Sequence, residues 1–392
     1  MQLSDALRAF WPVFAAVPLF LILGFWWRFS AARAMEQSPK PYTWVRQYRT
    51  GGFPFRRKLM GKPKLRVWGL LAVLAAAAAL CAGRLVSMRA SGLPMPDGVT
   101  GILPSALCVL GAGAVFCLLS LLFDSPWVSV PASVLYAAAA LRTNGGVSLL
   151  AISLLLLLLY LRADRPGMLP ELLYLAAVLA LAPAVALEPA FLWLLPCYPP
   201  LHWYKLPYQF HSKRLSGGKL LLILAVSLVF WALSVVLAAM LHPFLAKGGF
   251  VPWFTGPEIV SALRDLAQAA LSCFSFPTLE GAVDLAVDAP LLAYGLWGCC
   301  SAWILARKRR NVRGSFALAV LAATALLWLL CWRSVPILGL TLTTACILRD
   351  ADLGTKRLTA VLFPLAGMAW YCFIHIAVWA LPLSAELLER LK

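Results

Sequence analysis

Few side chains in this 392-residue chain can do acid–base or phosphate chemistry, and they fall between long apolar runs. Arg84 and Arg89 sit at the end of one run, just before Asp97 in Met95-Pro96-Asp97-Gly98. Arg142 and Asn144 belong to Arg142-Thr143-Asn144-Gly145-Gly146, which joins two short apolar runs. Glu188 separates Leu187 from Pro189, and Arg333 precedes Ser334 between two later runs. A cluster of guanidiniums suits a phosphate or pyrophosphate group, because each offers paired N–H donors in a fixed fork. A carboxylate beside such a cluster can take the proton of an attacking hydroxyl. Asp97 and Glu188 are therefore the candidate catalytic groups, and Arg84, Arg89, Arg142, Asn144 and Arg333 the candidate substrate ligands. A simpler account stands beside this one: arginines at helix ends reach for the membrane interface, and Asp and Glu close turns. Pro-Asp-Gly is itself an ordinary tight-turn sequence.

Other chemistry is excluded by pattern. The chain has no P-loop, no G-x-S-x-G, no H-E-x-x-H and no dinucleotide fingerprint. His202, His211, His242 and His375 are scattered, and no C-x-x-C pair is present, so neither a metal nor a cofactor is expected. His375 lies inside an apolar run, where a neutral imidazole bonded to a neighbouring helix is the plainer reading than a ligand or proton carrier. Of the ten cysteines only Cys273 falls in a segment expected to be external, so no disulfide framework is expected.

The elements that must position these groups follow from composition. The chain is 62% hydrophobic and 13% charged, with a mean hydropathy of +0.83. Soluble domains are nearer half apolar and a quarter charged. This composition belongs to a multi-pass membrane protein. Crossing the hydrocarbon takes about 20 apolar residues. Eight runs qualify: 9–27, 67–86, 102–123, 169–187, 220–241, 291–306, 315–332 and 358–381. Four shorter ones, 127–141, 147–161, 189–203 and 335–348, bring the expectation to about twelve membrane segments. Each is read as a helix, since an open strand in lipid leaves backbone groups unpaired. The fold class expected is thus an all-α, polytopic helical bundle.

Charge sets the sidedness. The segment 28–66 holds eleven Lys and Arg against one acidic residue, Glu36, which places it in the cytoplasm. Alternation then puts Arg162, Arg165, Lys205, Lys213, Arg214, Lys219, the run Arg307–Arg313, Arg349, Lys356 and Arg357 on the same side. The acidic stretch 280–288 and both termini come out external, with the first run as an uncleaved anchor. The net charge of +18 reports this topology rather than nucleic-acid binding, since spans separate the basic clusters. The segment 28–66 also carries Tyr42, Trp44, Tyr48, Phe53 and Phe55. It can lie on anionic head groups, or dock a membrane-protein partner.

Four regions follow: an anchor and basic loop (1–66), a membrane core (67–241), an external segment (242–290) and C-terminal membrane helices (291–392). In the external segment, Thr255-Gly256-Pro257-Glu258 has the form of a capping box. Ile259, Leu263, Leu266, Ala267, Ala270, Leu271 and Phe274 then recur at helical period. An amphipathic helix on the outer membrane face, or over the mouth of the bundle, is expected. The runs 127–141 and 147–161, about 22 Å of helix each, are too short for roughly 30 Å of hydrocarbon. Their tip, with Arg142, belongs in a water-filled cavity open to the outside. By topology Arg84, Arg89, Asp97, Arg142, Asn144, Glu188, Lys247 and Arg333 all fall on that external side.

The order of elements resembles the GT-C type of glycosyltransferases, polytopic enzymes that use polyprenyl-phosphate-linked sugars. The resemblance runs from about Val67 to Leu381 and rests on architecture: the hairpin Pro131–Leu161 with its basic turn Arg162-Ala163-Asp164-Arg165, the hairpin through Leu187-Glu188-Pro189, the long span Leu220–Leu241, the external amphipathic helix and the terminal hairpins. It implies a polyprenyl-phosphate sugar in the membrane lipid whose tail lies between helices, Arg84, Arg89 and Arg142 on its phosphate, and Asp97 or Glu188 as base. The family's first external loop is long and carries its catalytic acidic residue soon after a span. Here the loop 87–101 is short, offers only Asp97, and contains no Asp-Glu pair. Two alternatives stay open: a non-catalytic protein of the same fold that binds a lipid-linked glycan or a membrane partner, and a transporter. Against the transporter, no matched pair of broken helices recurs in two halves.

Overall fold

The computed structural model describes residues 63–90, 98–123, 125–141, 143, 145–163, 168–198, 202, 217–247, 256–272, 296, 298–301, 303, 321 and 337–352. Among these residues every regular element is helical: α1 (Pro63–Ala90), α2 (Gly98–Phe123), α3 (Pro126–Ala140), α4 (Gly146–Arg162), α5 (Met168–Leu187), a 3₁₀ segment (Pro189–Cys197), α6 (Gly217–Lys247), α7 (Gly256–Ser272) and α8 (Ile337–Asp352). Within them, Leu65–Val86, Leu103–Phe123, Met168–Leu187 and Ala225–Pro243 are long and apolar enough to cross a membrane. The anchor and most of the basic loop 1–66, the run 358–381, and most of 291–306 and 315–332 lie outside the described residues. The chain forms two compact units, 50–274 and 1–49 with 275–392.

The first unit is built around α5, which packs along α4 on one side and α6 on the other. Ala177, Val178, Leu181, Ala182, Ala184 and Val185 have no solvent-accessible surface there. Such small side chains let helix backbones approach closely, which is what associates helices where lipid is as apolar as leucine. Short polar side chains then bond a neighbouring helix. Ser153 Oγ donates to the Ala177 carbonyl at 2.6 Å, and Ser234 Oγ to the Val178 carbonyl at 2.8 Å. These bonds tie α4 and α6 to successive residues of α5. Gly111 performs the same service between α2 and α4, since a Cβ there would stand 2.5 Å from Ser148 Oγ.

The outward faces remain apolar. Leu221, Leu222, Val226, Leu228, Val229 and Leu233 of α6 are exposed, as are Leu65, Val67, Trp68 and Leu71 of α1. Apolar surface of this extent on a water-soluble monomer would be an interaction site or a liability. On this chain it is the surface that meets lipid.

Two elements differ from their sequence pattern. The run 189–203 starts as a 3₁₀ segment, nine residues long, instead of an α-helix. Pro196 lacks an N–H donor and crowds the carbonyl four residues back, and Pro199-Pro200 follow closely, so an i−4 ladder is interrupted within this run. At about 2.0 Å per residue the segment covers roughly 18 Å. The amphipathic helix α7 is present and packs against α6 and the 3₁₀ segment. Its seated stripe is Ile259, Ala262, Leu263, Leu266, Ala269 and Ala270, whereas Ala267 and Leu271 are exposed. The seated face thus keeps Ile259, Leu263, Leu266 and Ala270 of the expected stripe and takes Ala262 and Ala269 in place of Ala267 and Leu271.

In the second unit, α8 is buried from Ile337 to Leu348. Thr341 and Thr344 donate to the Ile337 and Leu340 carbonyls, both at 2.8 Å, so their hydroxyls are satisfied within the helix. Gly298 lies directly against Thr343 and has no room for a Cβ.

Candidate functional site

One end of the first unit gathers the turns and helix ends singled out by the sequence. Cys81 Sγ contacts the Ser105 carbonyl at 3.7 Å, which ties the end of α1 that bears Arg84 to the start of α2. Leu107 of α2 packs on Gly145 in the turn between α3 and α4. Gly145 adopts φ +87°, a left-handed conformation that only glycine takes without strain, and this reverses the chain into α4. Across the turn the Tyr136 and Ser148 hydroxyls bond at 3.1 Å.

Gly146, the first residue of α4, then meets the second hairpin. A Cβ at Gly146 would lie 3.2 Å from Glu188 Cβ and 3.4 Å from Leu187 Cβ. The tips of the two hairpins are thus in contact. Glu188 is half-buried; its amide donates to the Ala184 carbonyl at 2.9 Å, and its carbonyl accepts from Phe191 at 3.0 Å. Its side chain makes no capping bond to the 3₁₀ segment it precedes. The start of α4 offers a partial positive charge that favours a carboxylate at this junction. His242 of α6 completes the group by donating Nδ1–H to the Ala186 carbonyl at 2.7 Å. His242 was not marked by its sequence context, since nothing but proximity in space links it to Glu188.

Of the groups expected to act here, Glu188 is thus placed at the meeting of two hairpins. Arg84 is exposed on α1, and Arg89 is in the last turns of the same helix. Asp97, Arg142, Asn144 and Arg333 lie outside the described residues, although the neighbours of Arg142 and Asn144, Thr143 and Gly145, are within the turn.

A second polar cluster occupies the opposite end of α4. Tyr160 is fourteen residues beyond Gly146, about 21 Å along the helix axis. Its hydroxyl lies 2.6 Å from His202 Nδ1. The His202 ring stacks on Tyr174 of α5 with centroids 4.3 Å apart, and Tyr174 in turn lies 5.3 Å from the Tyr160 ring. His202 Nε2 is 3.9 Å from Glu171 Oε2, too long for a hydrogen bond but close for two charges. Tyr160, Tyr174 and His202 are buried, whereas the Glu171 side chain is 47% exposed. The Tyr174 hydroxyl is buried with no hydrogen-bond partner. Nearby, Ser153 spends its proton on Ala177, so the Tyr198 hydroxyl donates to Ser153 Oγ, at 2.7 Å. Sequence reasoning passed over this cluster because its members are spread from position 153 to 202 with no common motif. The available signal was four polar rings, Tyr160, Tyr174, Tyr198 and His202, near the ends of adjoining apolar runs.

Among the described residues no group of three or more His, Cys, Asp or Glu side chains could hold a metal ion. The fold and the apolar faces define a multi-pass helical membrane protein. No protein-family model, curated protein or solved structure matches the chain.

Proposed function

We propose that this chain is a GT-C-like membrane glycosyltransferase of about twelve membrane segments, moving a sugar from a polyprenyl-phosphate donor at the external membrane face. The observation that carries the reading is the contact between the two hairpin tips at Gly146 and Glu188. It sets a half-buried carboxylate beside the turn that contains Arg142 and Asn144 in sequence. In this scheme Arg84, Arg89 and Arg142 hold the donor phosphate, each guanidinium forming paired bonds. Glu188 or Asp97 takes the proton of the acceptor hydroxyl as its oxygen attacks the anomeric carbon. The bond from that carbon to the phosphate oxygen breaks, and polyprenyl phosphate leaves with both electrons. Basic loops on the cytoplasmic side and both termini outside complete the arrangement, in a cell membrane.

The test is transfer of radiolabelled sugar from polyprenyl-phosphate donors by the purified chain in lipid. Loss of about 100- to 10,000-fold in rate on Glu188→Gln or Asp97→Asn identifies the base. A second reading is favoured by the shortness of the loop 87–101: a non-catalytic protein that binds a lipid-linked glycan or a membrane partner. Retention of a polyprenyl-phosphate sugar through purification, lost in Arg142→Ala but without transfer in wild type, selects it. If no such lipid is retained and no transfer occurs, the glycosyltransferase reading and the glycan-binding form of the second reading both fail.

A further inference from the structure

We infer that Cys81 on α1 and Cys108 on α2 form a redox-active dithiol, oxidised to a disulfide by a membrane-dissolved acceptor of the quinone class. The register of the two helices brings the thiols together. Phe116 packs on Gly69, and Leu74 on Gly113, so α1 and α2 run antiparallel. Cys81 lies two turns beyond Leu74, and Ala106 lies the same distance back from Gly113. Cys81 accordingly meets α2 at this level, its Sγ 3.7 Å from the Ser105 carbonyl. Cys108 is one turn beyond Ser105 on the same side of α2. Both cysteines continue buried stripes: Val73 and Ala77 precede Cys81, and Ala112 and Val115 follow Cys108, at helical spacing. The Cys81 and Cys108 side chains hydrogen-bond one another.

The reaction is a two-electron oxidation. Each thiol gives up one proton and one electron as the S–S bond forms, and the quinone takes up both protons and both electrons to become a hydroquinone. Sulfurs already in contact are drawn together to about 2.05 Å. Two S–H donors are lost, and neither acceptor depends on them. Cys108 Sγ donates to the Ala137 carbonyl at 3.5 Å, which also accepts the Leu141 N–H at 3.2 Å. The Ser105 carbonyl belongs to the interior of α2, where the backbone ladder supplies a donor. The class of oxidant follows from the surroundings. The two thiols are buried, while Ala82 and Gly83 beside Cys81, and Leu103 and Ala106 near Cys108, are exposed on the faces that meet lipid. A charged, water-borne oxidant such as oxidised glutathione would have to leave water to reach them. A quinone is already dissolved in the lipid against those residues.

The proposal does not rest on the glycosyltransferase reading, since it uses only the packing of α1 on α2. It is tested on the full chain in lipid nanodiscs, reduced with dithiothreitol and then treated with a short-tailed benzoquinone whose ring is fully substituted. Remaining thiols are trapped with N-ethylmaleimide in denaturant, and the digest is read by mass spectrometry without reduction. The expected result is a peptide pair joined through Cys81 and Cys108, lighter by two hydrogens than the separate thiol peptides and released by dithiothreitol. Cys81→Ser should abolish the pair and leave Cys108 alkylated, and Cys108→Ser should do the converse. The wild-type digest decides the question even where a variant does not fold. Recovery of both cysteines alkylated after quinone treatment of folded protein overturns the proposal. So does oxidation that joins either of them to a different cysteine instead.

Discussion

Gly146 opens α4 directly against Glu188 at the start of the 3₁₀ segment, with 3.2 Å between Glu188 Cβ and the position a Cβ would take on Gly146. The two hairpins meet through this glycine. Gly146→Ala should lower the melting temperature in detergent, at a cost of about 1–2 kcal/mol, because the Ala184 carbonyl at 3.4 Å closes the other side. Gly146→Val should cost more and should also disturb Glu188, read as a change in any activity that depends on it. Equal stability of all three proteins would show that the tips can separate freely.

Gly145 is constrained in a different way. Its φ of +87° strains any L-side chain, and an added Cβ would stand 2.6 Å from Leu107 Cδ1. Gly145→Ala is expected to cost about 1–3 kcal/mol from backbone strain, seen as a drop in thermal stability. Gly83, on the exposed face of α1 with nothing within 4 Å, is the control. Gly83→Ala should be neutral or stabilising by up to about 1 kcal/mol, since alanine is the better helix former.

Tyr160 and Tyr174 should respond oppositely to loss of a hydroxyl. Tyr160→Phe removes the 2.6 Å bond to a buried imidazole nitrogen and should cost about 1–3 kcal/mol. Tyr174→Phe keeps the stacked ring and removes a buried hydroxyl that has no partner, so stability should hold or rise by about 1 kcal/mol. Chemical unfolding of the two variants side by side measures the difference.

Ser153 of α4 and Ser234 of α6 bond adjacent carbonyls of α5. Ser234→Ala should cost about 0.6 kcal/mol, the usual worth of an interhelical bond in a membrane protein. Ser153→Ala should cost more, because it also leaves the buried Tyr198 hydroxyl without its acceptor. Adding Tyr198→Phe to Ser153→Ala should recover part of that loss, a coupling that a double-mutant cycle in unfolding free energy would reveal.

The position of the short helices α3 and α4 was legible from the apolar runs 127–141 and 147–161, because a turn rich in glycine and polar residues separates two stretches free of charge. The run 189–203 was legible as a membrane segment and not as a 3₁₀ segment, since hydropathy does not weigh missing N–H donors. Glu188 could be singled out as a carboxylate between apolar runs. That it rests on Gly146 could not, because forty-two positions separate them in the chain and only the packing of α4 on α5 closes the distance.

Composition and charge by themselves determined that this is a helical membrane protein, which stretches are apolar enough for lipid, and where polar groups interrupt them. Those are properties of the solvent each segment requires, and a single segment already carries them. Tertiary structure alone decided which polar groups meet: Glu188 with Gly146, His242 with Ala186, and His202 with Tyr160, Tyr174 and Glu171. Helices in lipid are matched by small residues and short hydrogen bonds rather than by a hydrophobic driving force. Alanine, glycine and serine are spread through nearly every run of this chain, so their partners are set only when the backbones come together.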